Sequence, residues 1–142
     1  MTSYTSSRES DLEILLSFVG RHLGEAGAIA TVDLYADQGM ASGEARCLFE
    51  ELKRKILSSG GKGRKREDPL MGVVLDLSSE EGIRRFSLLG FRTIGCEAFV
   101  GNDLVFASVE NERTIWLDFP EGVVSELESS ARRSGASGLM RR

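Results

Sequence analysis

Residues 71–120 read MGVVLDLSSEEGIRRFSLLGFRTIGCEAFVGNDLVFASVENERTIWLDFP, the most strongly patterned stretch of the chain. Gly72 to Leu77 is apolar around Val73, Val74 and Leu75, which suits a buried strand. Ser78-Ser79-Glu80-Glu81 has the form of a capping box. Ile83, Phe86 and Leu89 then recur at helical spacing until Gly90 stops the helix. From Arg92 to Val100 the period changes to two, with Ile94, Cys96 and Ala98 on one face and Glu97 and Phe99 on the other. Gly101-Asn102-Asp103 makes a hairpin turn, because Gly and Asn tolerate positive φ, and Leu104 to Val109 is the return strand. Glu110-Asn111-Glu112 separates it from Thr114 to Phe119, where Ile115 and Leu117 oppose Trp116 on an edge strand. Pro120 suits the first turn of a closing helix, since its missing amide proton costs nothing there. Val123, Val124 and Leu127 face inward on that helix, and the tail from Ser129 onward is expected to fray. The expectation for residues 71–128 is strand, helix, three-strand meander, helix.

Upstream the pattern turns helical. Residues 1–9 read as a mobile polar lead-in. Ser10-Asp11-Leu12-Glu13 fits a capping box, and Leu12, Leu15, Leu16, Val19 and Leu23 predict an amphipathic helix over 11–23, ended by Gly24 and Gly27. Ala28 to Ala36 fits a strand or a helix. Gly39 and Ser42-Gly43 mark a turn, and Ala45, Leu48, Phe49, Leu52 and Ile56 predict a second helix over 43–58. Its cations Arg46, Lys53, Arg54 and Lys55 lie off the apolar stripe, and those toward the C-terminal end complement the helix dipole. The reading is one α+β domain. It has a helical half to residue 60, a basic linker over 61–70, an α+β unit over 71–128 and a flexible tail over 129–142.

A chain of 142 residues with 41% apolar and 28% charged residues can bury one core. Its net charge of −4 argues against wholesale coating by nucleic acid. The charge is uneven, however. Residues 61–70 hold four bases and two acids, whereas 1–60 hold six bases against nine acids and 71–142 eight against eleven. The single basic island is therefore local, and a local patch can bind a polyanion on an acidic protein. No run approaches the roughly 20 apolar residues of a membrane helix, and no signal peptide is read at the start. Cys47 and Cys96 are too few for a disulfide framework and are expected to line the core of a cytoplasmic or nuclear protein.

Little in the sequence advertises catalysis. His22 is the one histidine, near the end of the first helix, and is expected at the surface. One histidine and two distant cysteines do not suggest a zinc site. The pairs Glu50-Glu51, Glu80-Glu81 and Glu110/Glu112 lack the apolar setting of a raised-pKa acid. Gly60-Gly61-Lys62-Gly63 lacks the strand–loop–helix context and Gly-Lys-Ser/Thr ending of a phosphate loop. No enzyme, metal or cofactor is expected. Lys62, Arg64, Lys65 and Arg66 form the densest positive charge and can contact phosphates or serve as a nuclear address. Arg84, Arg85 and Arg92 would add to that surface if they share its side, and Arg132, Arg133, Arg141 and Arg142 make a second basic cluster. Trp116 is the only tryptophan and can stack on a base, anchor a dimer or lie in the core.

The stretch Gly90-Phe91-Arg92-Thr93-Ile94-Gly95-Cys96, with the strand-like runs and helix after it, resembles the core of the small RNA-silencing suppressors of tombusviruses. The resemblance covers about a third of the chain and rests on Gly90, Phe91, Ile94, Gly95 and Cys96, which such a fold would use structurally. It implies a homodimer that binds duplex RNA across a sheet. That family measures duplex length with tryptophans on an N-terminal helix, and none precedes Trp116 here. The functional expectation is a non-enzymatic, dimeric protein that binds duplex RNA through phosphates, contacted by Lys62, Arg64, Lys65 and Arg66 with support from Arg84, Arg85 or Arg92. The alternative is a protein-interaction adaptor that engages its partner through the N-terminal helices or the Trp116 strand. Its basic run would then be a nuclear address.

Overall fold

The computed structural model describes residues 1–34, 43–58, 70–109 and 113–142. Seven strands are β1 (Thr2–Thr5), β2 (Ile29–Asp33), β3 (Val73–Leu75), β4 (Gly95–Val100), β5 (Asp103–Val109), β6 (Thr114–Leu117) and β7 (Met140–Arg141). Four helices are α1 (Glu9–Glu25), α2 (Gly43–Ser58), α3 (Glu80–Leu89) and α4 (Glu121–Arg133). The strands form one sheet in the order β3-β2-β4-β5-β6-β1-β7, and every neighbouring pair is antiparallel. The protein is therefore α+β.

Alternation along the strands decides which side the helices cover. Tyr4, Ala30, Val32, Cys96, Ala98, Phe106, Ile115 and Leu117 point to one side and are buried. α1 lays Leu12, Leu15, Leu16, Val19 and Leu23, all fully buried, into the same core. α3 adds Ile83, Phe86 and Leu89, and the Phe86 ring meets Phe106 of β5 edge-on at 4.9 Å. α4 contributes Val124, Leu127 and Ala131. α2 buries Ala45, Phe49 and Leu52 and sits beside α3. Two glycines permit close approach. A Cβ on Gly24 of α1 would lie 2.3 Å from the Leu77 carbonyl oxygen, and one on Gly82 of α3 only 1.6 Å from that of Asp76.

Several sequence expectations change. The predicted mobile lead-in is β1, an interior strand paired with β6 on one side and β7 on the other. The segment open to either reading is β2, whose Ile29, Thr31 and Asp33 alternate with buried Ala30 and Val32. The predicted helical half therefore supplies two strands, β1 and β2, to the sheet that carries the meander, and residues 61–69 of the predicted basic linker lie outside the described residues. The tail does not fray. Ala131, Ala136 and Leu139 are buried, and β7 closes the sheet beside β1. Trp116 lies on an interior strand, not an edge, because β1 covers the flank that sequence left open.

Capping differs as well. α1 starts at Glu9 after Arg8, with no side-chain cap. Asp11, assigned to a capping box, is instead buried. It accepts from Ser6 Oγ at 2.7 Å and from Arg8 Nη2 at 3.0 Å, and Arg8 Nη2 also reaches Ser137 Oγ at 2.8 Å. At α3 the cap is Ser79, one residue later than the sequence box, its hydroxyl accepting from the Gly82 amide at 3.0 Å. Gly24 lies inside α1, and the chain turns at Gly27. Cys96 is buried, but Cys47 is exposed on α2.

Burial alone pushes the Asp11 carboxyl up, but the hydrogen bonds from Ser6 and Arg8, the Arg8 charge and the Gly138 amide outweigh it and hold the group below the usual carboxylate range. Asp11→Ala orphans the Ser6 hydroxyl and the Gly138 amide and is expected to cost about 2–3 kcal/mol in urea unfolding at neutral pH. A carboxyl lowered in the folded state gives its full contribution above the unfolded value of about 3.9. That contribution is lost as pH falls through the folded value, so the difference between variant and wild type should shrink in acid. An undiminished difference in acid contradicts this assignment. Gly82→Ala drives a Cβ into a carbonyl oxygen and is expected to destabilise by about 3 kcal/mol or more in a thermal melt.

Candidate interaction face

With the helices stacked on one side, no described helix covers the other side of the sheet, although Ser3 at its β1 end is buried. The strand registers set one continuous row across it: Val74 on β3, Thr31 on β2, Glu97 on β4, Ala107 on β5, Trp116 on β6 and Ser3 on β1. Neighbouring strands lie about 4.8 Å apart, so the row from Val74 to Trp116 spans about 19 Å. A second pairing sets Ile29 of β2 beside Phe99 of β4. Ile29 is 60% exposed, Val74 58% and Trp116 37%. Isolated exposed aliphatics are ordinary, but these lie on one face together with the only tryptophan.

From β2 to β6 the charges on this face have one sign, and Arg142 lies beyond them beside Ser3 of β1. Asp33 ends β2, and its Oδ1 accepts the Gly72 amide at 2.7 Å. Glu97 stands at the centre of the row and is exposed. Asp118 follows β6 and is exposed. No open-face strand position from β2 to β6 carries a lysine or arginine among the described residues. Beneath this face, burial pushes the Cys96 thiol up, and the charges of Asp33 and Glu97 add to it, so Cys96 stays a neutral core thiol.

The arginines singled out in the sequence fall elsewhere and are engaged with acids. Arg84 pairs with Glu44 of α2 at 2.6 Å. Arg85 pairs with Glu81 at 2.5 Å and reaches Glu51 of α2 at 3.9 Å. Arg92, its side chain 7% exposed, bridges Glu9 at 2.9 Å and Glu13, donates to the Leu88 carbonyl at 2.8 Å and lies over the Phe91 ring. These three therefore tie α3 and the segment after it to α2 and α1. Lys62, Arg64, Lys65 and Arg66 lie outside the described residues. In the tail cluster, Arg132 pairs with Glu128 and Arg141 with Glu121.

One feature escaped the sequence reading, and a second was read there only as a complement to the helix dipole. Ile29, Val74 and Asp33 share the open face, and their signal was the period-two alternation of β2, which the alanines of residues 28–36 obscured. Arg54 and Lys55 are exposed at the end of α2 and form no ion pair with a described residue. They open a stretch, Lys53 to Arg66, with seven cations and no acid. His22 is half-buried, edge-on to Phe119 at 4.9 Å. It borders a shallow groove of about 350 Å³ between α1 and α4, floored by Phe18, Val123 and Leu127. Among the described residues no three His, Cys, Asp or Glu side chains gather as a metal site, and no helix is long and apolar enough to cross a membrane.

No family model, no curated protein and no solved structure matches this chain.

Proposed function

We propose that the protein is a non-enzymatic interaction module that docks a protein partner on the open face of its sheet. One observation carries this reading: the helices gather on one side, and the other side presents Ile29, Val74 and Trp116 to solvent in a single field. Tryptophan and aliphatic side chains on a rigid surface supply contact area at little entropic cost, and such residues anchor interfaces. The sheet is rigid for a local reason. Each open-face residue sits on a strand whose neighbouring residues are locked into the core.

A second reading has its own support. The run from Lys53 to Arg66 continues the exposed cations of α2 into Lys62, Arg64, Lys65 and Arg66. That run supports nucleic-acid binding through phosphates, on duplex RNA as the tombusviral resemblance implies. Arg84, Arg85 and Arg92 would join it only by exchanging their carboxylate partners for phosphates. A homodimer formed through Trp116 is the competing occupant of the open face. In either reading the protein works in the cytoplasm or the nucleus.

Photo-crosslinking separates the readings. A benzoylphenylalanine at position 116 is expected to give discrete protein adducts in the source cells, and one at position 46 on α2 is not. Adducts from position 116 no stronger than those from position 46 count against the docking face. Under the second reading, four phosphate contacts give a log affinity against log salt slope of about −3 to −4 for duplex RNA. Replacing Lys62, Arg64, Lys65 and Arg66 with Ala then removes the binding; a slope near zero or an unaffected variant rules that reading out.

A further inference from the structure

The open face is apolar at its β2–β3 end and acidic across its middle, and the two properties meet at a cleft. Between the C-terminal end of α1 and the β2–β3 pair lies a cavity of about 390 Å³, lined by Gly24, Gly27, Ala28, Ile29, Val74 and Asp76. Ile29 and Val74 are the most exposed aliphatics of the sheet, so the apolar field runs directly into this cleft. Asp76 stands at its rim, exposed and fixed by the Ser78 amide at 3.0 Å and the Ser78 hydroxyl at 2.5 Å. The end of α1 brings the negative pole of a helix dipole and Glu25 to the same place. From there Asp33 and Glu97 carry the negative charge toward Trp116.

Resting on the docking reading, we infer that the occupant of this face is a cationic, aliphatic segment of a partner protein, with a lysine or arginine side chain in the cleft beside Asp76. The chemistry selects this class over its rivals. A long basic side chain lays an apolar stem over Ile29 and Val74 while its charged head meets a carboxylate. Further cations meet Asp33 and Glu97, and aliphatic residues between them cover Phe99 and Trp116. A nucleic-acid backbone would meet Asp33, Glu97 and Asp118 with like charge. A second copy docked face to face would bring the same carboxylates toward their own images, a like-charge juxtaposition that interfaces avoid. Among the described residues β2 is the one neighbour of β3 in the sheet, and the other edge of β3 lies beside this field. An extended segment therefore suits the site better than a helix.

The test titrates the full chain with three synthetic peptides: Lys-Val-Lys-Val-Lys-Val-Lys, its Glu-Val counterpart and its Lys-Ser counterpart. Trp116 emission and calorimetry report binding, and because Trp116 is the only tryptophan the optical signal comes from the face itself. The Lys-Val peptide is expected to bind at least about tenfold tighter than either other peptide, a difference of about 1.4 kcal/mol. Its advantage over Glu-Val should shrink between about 0.05 M and about 0.5 M salt. Asp33→Asn combined with Glu97→Gln, two isosteric changes on the face, should remove most of it. Val74→Ser, on a short edge strand, should weaken Lys-Val binding and leave the fold intact by circular dichroism. Equal binding of Glu-Val or of Lys-Ser overturns the inference, as does binding of no peptide. If a protein adduct still forms from position 116, only the cationic occupant is refuted and the docking reading stands. If that adduct is missing too, both fail. Concentration-dependent dimers abolished by Val74→Ser would assign the face to a second copy and likewise overturn the inference.

Discussion

One-sided burial is the constraint on which the rest of this structure depends. An antiparallel sheet whose strands alternate apolar and mixed residues can bury only one face, and here α1, α3 and α4 bring their apolar stripes to that face. The fully buried stripe of α1, Leu12 to Leu23, lies at the middle of that layer. α1 packs on α3 at one flank and on α4 at the other. Once this layer is filled, no described helix is left for the opposite face. Its composition follows from that, with threonine, serine and acids interrupted by Ile29, Val74, Phe99 and Trp116.

The same layer explains why the chain ends are ordered. Tyr4 is buried under the sheet and donates to Glu128 of α4 at 2.6 Å, which also meets Arg132. That hydrogen bond from Tyr4, with the charges of Arg132 and Arg141, holds the Glu128 carboxyl below the ordinary range against the desolvation that would raise it. Arg132 in turn donates to the Leu139 carbonyl at 2.8 Å and so fixes the approach to β7. Asp11, Arg8 and Ser6 make a second clasp to Ser137 and Gly138. Two polar clusters, each built on a carboxylate, thus tie the first six residues to the last ten.

Local pattern made the centre of the chain legible and left its periphery obscure. The strand–helix–meander run of residues 73–117 was readable because period changes and a Gly101 turn sit within one short stretch. β1 was not readable, because a four-residue polar strand carries almost no hydrophobic signal. Its place depends on pairing with β6, more than a hundred residues away. β7 escaped for the same reason. Missing β1 also displaced Trp116 to an edge it does not occupy. The arginines show a different limit. Sequence gives the charge of Arg84, Arg85 and Arg92, but whether a guanidinium faces solvent or a carboxylate depends on how α1 and α2 lie against α3. Here Glu9, Glu13, Glu44 and Glu51 lie against those guanidiniums. The candidate site was half visible: Trp116 stood out as the lone tryptophan, while Ile29, Val74 and Asp33 join it only through strand order.

The open face is acidic, the run from Lys53 to Arg66 is basic in sequence, and the proposed function assigns the partner to the first. The affinity of the crosslinked partner, measured by calorimetry, decides between them. Trp116→Ser is predicted to weaken binding by at least about tenfold, in line with loss of an aromatic anchor. Replacement of Lys62, Arg64, Lys65 and Arg66 by Ala is predicted to leave it within about twofold. The reverse order, with the basic run carrying the affinity and Trp116 dispensable, contradicts the assignment of the open sheet face as the docking surface.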